Sequence, residues 1–155
     1  MSSLSSISRA TPQALFTATL IVETRGVGFI DITRDIGAFL HECKAADGAL
    51  TLFLRHTSAS LTIQENADPD VQTDLLAALD RLAPQNAGYV HDTEGPDDMP
   101  AHIKAMLTGV SLNIPVRDGA TVLGTWQGIY LIEHRRAPHR REIVLQFIGS
   151  SGASG

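Results

Sequence analysis

Two histidines stand at the ends of apolar runs in this sequence. Period-2 alternation places His56 on the leucine-bearing face of one predicted strand. In a later strand it places His134 on the face that carries Trp126, and Glu133 on the opposite face. An imidazole that titrates near neutral pH can act as a general acid or base, or as a metal ligand. A lone histidine at the edge of a core is more often simply packed. Two histidines that both end apolar strand faces are less easily explained in this way, so both rings are candidates for chemistry.

A second group of candidates lies in the polar connection PQNAGYVHDTEGPDDM. Its histidine and acidic residues are His91, Asp92, Glu94, Asp97 and Asp98. Carboxylate oxygens suit Mg²⁺ or Ca²⁺, but the spacing is not that of an EF-hand, and acidic loops are more often only solvated. No HExxH motif is present, so a site built from several imidazoles must be assembled by the fold. The loop gains interest if His102, which follows it, belongs to the same site.

Arginines crowd the segment after His134. They are Arg135, Arg136, Arg140 and Arg141. Guanidinium groups recognise phosphate through paired hydrogen bonds, so this cluster is a candidate for binding a phosphorylated small molecule. The alternative is a solvated turn whose charges discourage edge pairing.

The junction Glu65-Asn66-Ala67-Asp68 joins a predicted strand to a predicted helix. Asp68 is a good N-cap, which explains it structurally. Glu65 and Asn66 are not explained by capping and could orient a substrate or hold a hard cation.

Composition bounds the class of protein. The chain has 155 residues and a net charge of -5, which argues against nonspecific binding to nucleic acid or to an anionic membrane. A single cysteine, Cys43, excludes an internal disulfide framework and lies on a predicted core stripe. No apolar run is long enough for a membrane span, and the N-terminus lacks the apolar region of a secretory signal. We therefore expect a cytoplasmic protein.

The hydrophobic periodicity predicts an α+β fold with mostly antiparallel strands. The predicted strands cover residues 14–23, 29–33, 49–56, 60–64, 111–116, 120–133 and 142–148. We expect an irregularity at Gly124 or Gly128 within the strand over 120–133. The predicted helices are capped by Thr33 and Asp68 or begin at Pro100. Asp118-Gly119 is expected to join one pair of strands and Ala137-Pro138 another. We expect a flexible N-terminus over 1–13, a single domain over 14–149 and a flexible tail over 150–155.

Three segments in this order carry a family resemblance. RHTSASLTIQENADPDV, HDTEGPDDMPAHIKAMLTGVSLNIPV and GTWQGIYLIEHR resemble the YjbQ-type family of secondary thiamine-phosphate synthases. The resemblance implies a two-sheet β-sandwich with two or three helices that assembles as a homotrimer. It also implies a transferase that joins hydroxymethylpyrimidine diphosphate to thiazole phosphate and releases pyrophosphate.

From this resemblance together with the residue types above, we assign site residues in three groups. The expected catalytic residues are His56, His102, His134 and Glu133. The expected substrate-binding residues are Thr57, Ser58, Asn66, Trp126, Gln127, Arg135 and Arg141. The expected metal ligands are His56, His102, His134, Glu65 and Asp97, holding Mg²⁺ for the diphosphate or Zn²⁺ on the histidines.

Two alternatives to the transferase remain open at this point. One is a metal-dependent enzyme that acts on another phosphorylated metabolite, with the histidines as ligands. The other is a non-catalytic trimer that binds a small anion. All three involve a phosphorylated or anionic small molecule, and none involves nucleic acid or a membrane.

Overall fold

Two antiparallel sheets and three helices form the protein in the computed structural model, which describes residues 2–4 and 6–152. The strands are β1 Ala14–Glu23, β2 Gly28–Asp31, β3 Ala45–Leu54, β4 Ala59–Glu65, β5 Ser111–Arg117, β6 Ala120–Thr121, β7 Gln127–Glu133 and β8 Arg140–Ser151. The helices are α1 Thr33–Glu42, α2 Pro69–Leu82 and α3 Asp98–Thr108. The predicted α+β class with two antiparallel sheets is confirmed.

The sheets differ in size and share one core. The larger has the strand order β1-β8-β3-β5-β6 and the smaller has β2-β7-β4. Alternate residues of β3 such as Leu50 and Leu52 are fully buried and meet Leu61 and Leu131 of the smaller sheet, with Ile36 of α1 in the same cluster. Removing this apolar surface from water is the main force that holds the two sheets together.

The strand after α1 begins earlier than predicted. The helix ends at Glu42, and β3 starts at Ala45 with an irregularity before Gly48. Asp47-Gly48 is a typical signal for the end of a helix, but here Gly48 lies in β3 and pairs with Gly149, where the backbones of β3 and β8 approach closely. A Cβ on Gly48 would lie 2.3 Å from the Ile148 carbonyl oxygen, so this position has no room for a side chain.

The long strand predicted over 120–133 is two strands in different sheets. The Asp118-Gly119 turn pairs β5 with β6 as expected, and both residues have positive φ. The chain then turns at Gly124, and β7 joins the smaller sheet at Gln127. The expected hairpin at Ala137-Pro138 is also wrong, because β7 and β8 belong to different sheets.

The ends of the helices and of the chain also differ in detail from the predicted ones. Thr33 lies inside α1, whose N-cap is Ile32, whereas Asp68 caps α2 by accepting from the Asp70 N–H at 2.9 Å. The last strand, β8, extends to Ser151, past the predicted domain boundary at 149. Parts of the predicted termini, at residues 1, 5 and 153–155, lie outside the described residues. Within the described ranges, no helix combines the length and the apolar character that crossing a membrane requires.

Candidate metal centre

Three side chains with metal-binding atoms converge at the start of α3. His91, Asp98 and His102 each offer one ligand atom, and these atoms lie within 4.8 Å of one another. His91 Nε2 lies 2.8 Å from Asp98 Oδ2, and His102 Nε2 lies 3.3 Å from the same oxygen. Two imidazoles and a carboxylate thus surround one point.

The local structure explains why these residues meet. Asp98 and His102 are one helical turn apart on α3 and so share a face of the helix. The preceding loop turns at Gly95, whose φ is 104° and whose carbonyl accepts from the Asp98 N–H. This turn brings His91 back over the first turn of α3, where its ring lies 5.5 Å from that of His102.

Hydrogen bonds outside this cluster orient its ligand atoms. His102 Nδ1 donates to the Thr57 carbonyl at 3.0 Å, so Nε2 of the neutral ring carries the lone pair. Asp98 Oδ1 accepts from the Arg135 guanidinium, which leaves Oδ2 for the two histidines. Partners of this kind commonly fix the tautomer and orientation of metal ligands in proteins.

Arg135 ties the acidic loop to α3. It also donates to Asp97 Oδ2 at 3.3 Å and to the Glu94 carbonyl at 2.8 Å. Burial alone would raise the pKa of Asp97, but the Arg136 backbone N–H and the Arg135 guanidinium outweigh it and hold that pKa below its ordinary value. Asp97 is thus an ionised partner of arginine, and Arg135 is not free to hold phosphate.

A largely apolar cavity of about 510 Å³ adjoins the cluster. His102 and His56 both line it, together with Phe53, Met106 and Val110. The Glu142 N–H donates to His56 Nε2 at 2.8 Å, so the neutral His56 ring carries its proton on Nδ1. Burial, and then the nearby Arg141 guanidinium, lower the pKa of His56 and favour that neutral form.

The expected three-histidine site does not form. Among the residues that the structure describes, neither His56 nor His134 joins the group with His102. His134 Nε2 is bonded to Ser60 Oγ at 2.7 Å, and its buried ring lines a different cavity. The physical reason is that His134, just after β7, is buried against Ser60 of β4, whereas His102 of α3 lies beside the loop that carries His91.

Glu133 and Arg141 form a buried ion pair. Arg141 donates to both oxygens of Glu133, at 2.6 and 2.7 Å, and to Ser58 Oγ and the Ser58 carbonyl. Thr24 Oγ1 adds a bond to Glu133 at 2.8 Å. Burial raises the pKa of Glu133, but the bonds from Arg141, the Arg135 N–H and Thr24 outweigh it and leave the pKa lowered. Glu133 and Arg141 are thus bonded to each other inside the protein, and the catalytic role expected for Glu133 and the substrate-binding roles expected for Arg141 and Ser58 stay predictions.

Most of the remaining expected residues make hydrogen bonds to the backbone of connecting segments. Glu65 Oε2 accepts from the Asp68 N–H at 2.8 Å, so capping of α2 explains it after all. Asn66 Nδ2 donates to the Thr125 and Gln127 carbonyls, and Gln127 Oε1 accepts from the Gly124 N–H. Trp126 is 65% exposed, because β7 begins one residue after it and its ring does not continue the buried row.

Two residues of the cluster, His91 and Asp98, are absent from the residues assigned on sequence. The signal for them was the acidic loop together with the four-residue spacing from Asp98 to His102. The sequence shows that spacing, but it does not predict that the loop folds back over α3 and brings His91 to the same place.

Comparisons with known proteins identify relatives over most of the chain. The family model described as UPF0047 protein YjbQ-like matches residues 18–150. A UPF0047 protein of Synechocystis is 47% identical over 131 residues, covering 84% of this chain and 89% of that protein. The UPF0047 protein YjbQ of Salmonella typhimurium is 46% identical and covers 84% of this chain and 96% of its own length.

Solved structures agree with the fold. A Clostridium acetobutylicum protein, described as an uncharacterized conserved protein, is 39% identical with a TM-score of 0.74 and covers 86% of this chain and 99% of that one. A YbjQ-like protein of unknown function from Sulfolobus solfataricus is 21% identical with a TM-score of 0.79, covering 88% of this chain and 100% of that one, and shows the fold alone.

These comparisons correct the expected activity. The relatives carry the name UPF0047, and the structural neighbours are described as uncharacterised or of unknown function, so the expectation of a thiamine-phosphate synthase is wrong. The site agrees, because Arg135 and Arg141, which were expected to bind phosphate, are bound to carboxylates. The extent of the sequence match nevertheless shows that this chain belongs to the UPF0047, YjbQ-like family.

Proposed function

We propose that the protein binds one divalent transition-metal ion through His91, Asp98 and His102 and uses it as a Lewis acid. The observation that carries this is the orientation of the ligand atoms. Thr57 fixes one nitrogen of His102 and Arg135 occupies one oxygen of Asp98, so the remaining atoms face a common point with His91. Three protein ligands leave a fourth position for water or substrate, the pattern of a catalytic rather than a structural site.

The distances fit such an ion. A tetrahedral zinc ion about 2.0–2.1 Å from each ligand would separate the ligand atoms by about 3.3 Å. The His102 Nε2 to Asp98 Oδ2 distance is 3.3 Å. His91 is closer, at 2.8 Å, as expected for a ring that donates a hydrogen bond to the carboxylate. Ion binding would replace that proton, so binding should release protons and weaken in acid.

The ligand set favours Zn²⁺ over Mg²⁺ or Ca²⁺. Imidazole nitrogens suit zinc and neighbouring transition metals, whereas Mg²⁺ and Ca²⁺ prefer oxygen ligands. Two histidines and one carboxylate also occur in non-haem iron sites, so Fe²⁺ is the competing ion to test. A bound zinc ion would polarise a substrate oxygen or lower the pKa of a water molecule, which is hydrolytic chemistry.

The neighbouring apolar cavity supplies a place for the substrate. Its lining by Phe53, Met106 and Val110 suits an apolar group, and His102 places that group beside the ion. His56 Nδ1, the protonated nitrogen of that ring, is available to donate a hydrogen bond. We therefore propose a substrate with an apolar part and a metal-bound oxygen.

Metal titration tests the proposal. Chelator-treated protein should bind one Zn²⁺ per chain by calorimetry, with protons released to the buffer. His102→Ala should weaken binding by about 100-fold or more, because changes even to the groups around metal ligands cost about 10–100-fold. His41→Ala, an exposed histidine on α1, is the matched control and should bind as the original protein does. Absence of stoichiometric binding of Zn²⁺, Fe²⁺, Co²⁺ and Mn²⁺ would contradict the proposal.

We also propose that the chain assembles as a homotrimer through the outer face of the larger sheet. Leu15, Phe53 and Ile148 lie on that face and are each about half exposed. Such a patch is typical of an interface. Light scattering should give a mass about three times 16.6 kDa. Ile148→Ser should lower it towards that of one chain, and a mass of one chain for the original protein would contradict the assembly.

A further inference from the structure

The Arg135 side chain divides its hydrogen bonds among three residues around the candidate metal centre. It is 13% exposed, and each of its three guanidinium nitrogens has a different partner. Nη1 donates to Asp98 Oδ1, Nε donates to Asp97 Oδ2 at 3.3 Å, and Nη2 donates to the Glu94 carbonyl at 2.8 Å. Two of these partners are carboxylates, the groups that could supply further oxygen ligands to an ion.

The first of these bonds limits what Asp98 can offer. A carboxylate binds a metal ion through one oxygen or through both. Asp98 Oδ2 lies 2.8 Å from His91 Nε2 and 3.3 Å from His102 Nε2, whereas Oδ1 accepts from Arg135. The guanidinium also places a positive charge beside Oδ1, which repels a second cation. While this bond is made, Asp98 presents one oxygen to an ion.

The second bond concerns the neighbouring carboxylate, Asp97. Its Oδ2 accepts from Arg135 Nε and, at 2.8 Å, from the Arg136 backbone N–H. Within residues 2–4 and 6–152, the group of metal-binding atoms at the start of α3 does not include Asp97. The ligand set therefore consists of two imidazole nitrogens and one carboxylate oxygen.

The number of oxygen ligands separates the metal ions that such a site could hold. Zn²⁺ accepts a tetrahedral set of nitrogen and oxygen ligands. Mn²⁺ suits carboxylate oxygens in an octahedral arrangement. A carboxylate that bound through both oxygens would add a ligand and so favour Mn²⁺. An arginine on one of those oxygens should disfavour Mn²⁺ more than Zn²⁺.

We propose, building on the metal centre proposed above, that Arg135 determines which metal ion the centre selects. It does so by limiting Asp98 to one metal-binding oxygen and by holding Asp97 away from the ion. Arg135 acts through these carboxylates, so it is a positioning residue and not a ligand. An arginine that only held the loop would change the affinities for all metal ions alike, whereas this role changes their ratio.

Arg135→Met tests this role, because methionine donates to neither carboxylate. The ratio of the Zn²⁺ and Mn²⁺ dissociation constants, measured by calorimetry on the full chain, should shift about tenfold in favour of Mn²⁺, since groups around metal ligands change metal affinity by about 10–100-fold. Co²⁺ bound in place of Zn²⁺ should lose the strong visible absorption of a four-coordinate ion and show the weak absorption of a higher coordination number.

Arg136→Met is the matched control. It removes the same charge from the next residue, and the bond of Arg136 to Asp97 comes from the backbone, which the substitution keeps. The ratio of dissociation constants and the Co²⁺ spectrum should both stay as in the original protein. The same shift in Arg136→Met and Arg135→Met would reduce the effect to net charge and overturn the proposal.

A second variant guards against unfolding. Arg135→Met leaves Asp98, which is 2% exposed, without its counter-ion, and this is strongly destabilising. The double variant Arg135→Met with Asp97→Asn removes one charge of each sign and still frees Asp98 Oδ1, so it should show the same shift. Equal losses of Zn²⁺ and Mn²⁺ affinity would overturn the role of Arg135 and leave the metal centre standing. Absence of metal binding by the original protein would overturn both proposals.

Discussion

Two buried carboxylates, Glu133 and Asp98, each meet an arginine, and their surroundings differ. Glu133 receives two bonds from Arg141, one from Thr24 and one from the Arg135 N–H, so every direction around it is occupied. Asp98 gives one oxygen to Arg135 and turns the other towards two histidines. Both residues are almost fully buried, so burial and charge do not distinguish them.

The two carboxylates differ in what surrounds their oxygens. Both oxygens of Glu133 accept from Arg141, whereas Asp98 Oδ2 lies beside two histidines. A carboxylate enclosed by donors is satisfied, and its surroundings hold two sheets in register. A carboxylate beside histidine nitrogens faces atoms that can bind either a proton or a metal ion. We infer that the Glu133 cluster is structural and that the Asp98 cluster is the place for chemistry.

The largest effect is expected for Glu133→Gln. It leaves the Arg141 guanidinium buried without a counter-ion, and breaking a buried pair in this way costs about 3–5 kcal/mol. Urea denaturation should show the loss. The double variant Glu133→Gln with Arg141→Met should recover part of it, and Zn²⁺ affinity should be unchanged while the variant is folded. A loss of Zn²⁺ binding without a loss of stability would reverse the contrast.

A large pH effect is expected from His134. Burial and Lys104 lower its pKa from 6.5 to about 4, against the opposing influence of Glu133. The unfolded chain therefore binds a proton between these values and the folded chain does not, so stability is greatest above pH 6.5 and falls as pH drops to about 4. The difference corresponds to about 3 kcal/mol. Denaturation curves from pH 7 to pH 4 should show it, and His134→Gln should flatten this dependence.

Asp98→Asn should have a smaller effect on stability than Glu133→Gln. The asparagine Oδ1 still accepts from Arg135, so we expect a loss of about 1–2 kcal/mol in the metal-free protein. Zn²⁺ affinity should fall by about 100-fold or more, because a charged ligand is removed. Calorimetry and urea denaturation on the same preparation separate the two effects. Unchanged Zn²⁺ affinity would remove Asp98 from the proposed centre.

The smallest effect is expected for Asn66→Ala. Its side chain donates to the Thr125 and Gln127 carbonyls near the protein surface, where such bonds contribute about 1 kcal/mol. Stability should fall by about that amount, and Zn²⁺ affinity should not change. A large change in Zn²⁺ affinity would return Asn66 to a functional site.

Local sequence patterns, namely hydrophobic alternation and helix capping, predict much of the fold. Alternation along β1 and β3 and the Asp68-Pro69 start of α2 all predict elements that the structure contains. Gly124 and Gly128 predict an irregularity within residues 120–133, but the division between two sheets was not predictable, because alternation does not say which neighbour each half will pair with. The same limit explains the absent β7–β8 hairpin.

The sequence by itself determined the α+β class, the family and the residue types able to do chemistry, because periodicity, capping and motifs are local properties. Only the tertiary structure decided which of those residues act together. Glu133 is enclosed by Arg141, and His134 faces a second cavity, while His91 reaches Asp98 and His102 across a turn at Gly95. Such contacts depend on how strands and loops return in space, and single-sequence spacing does not encode those distances.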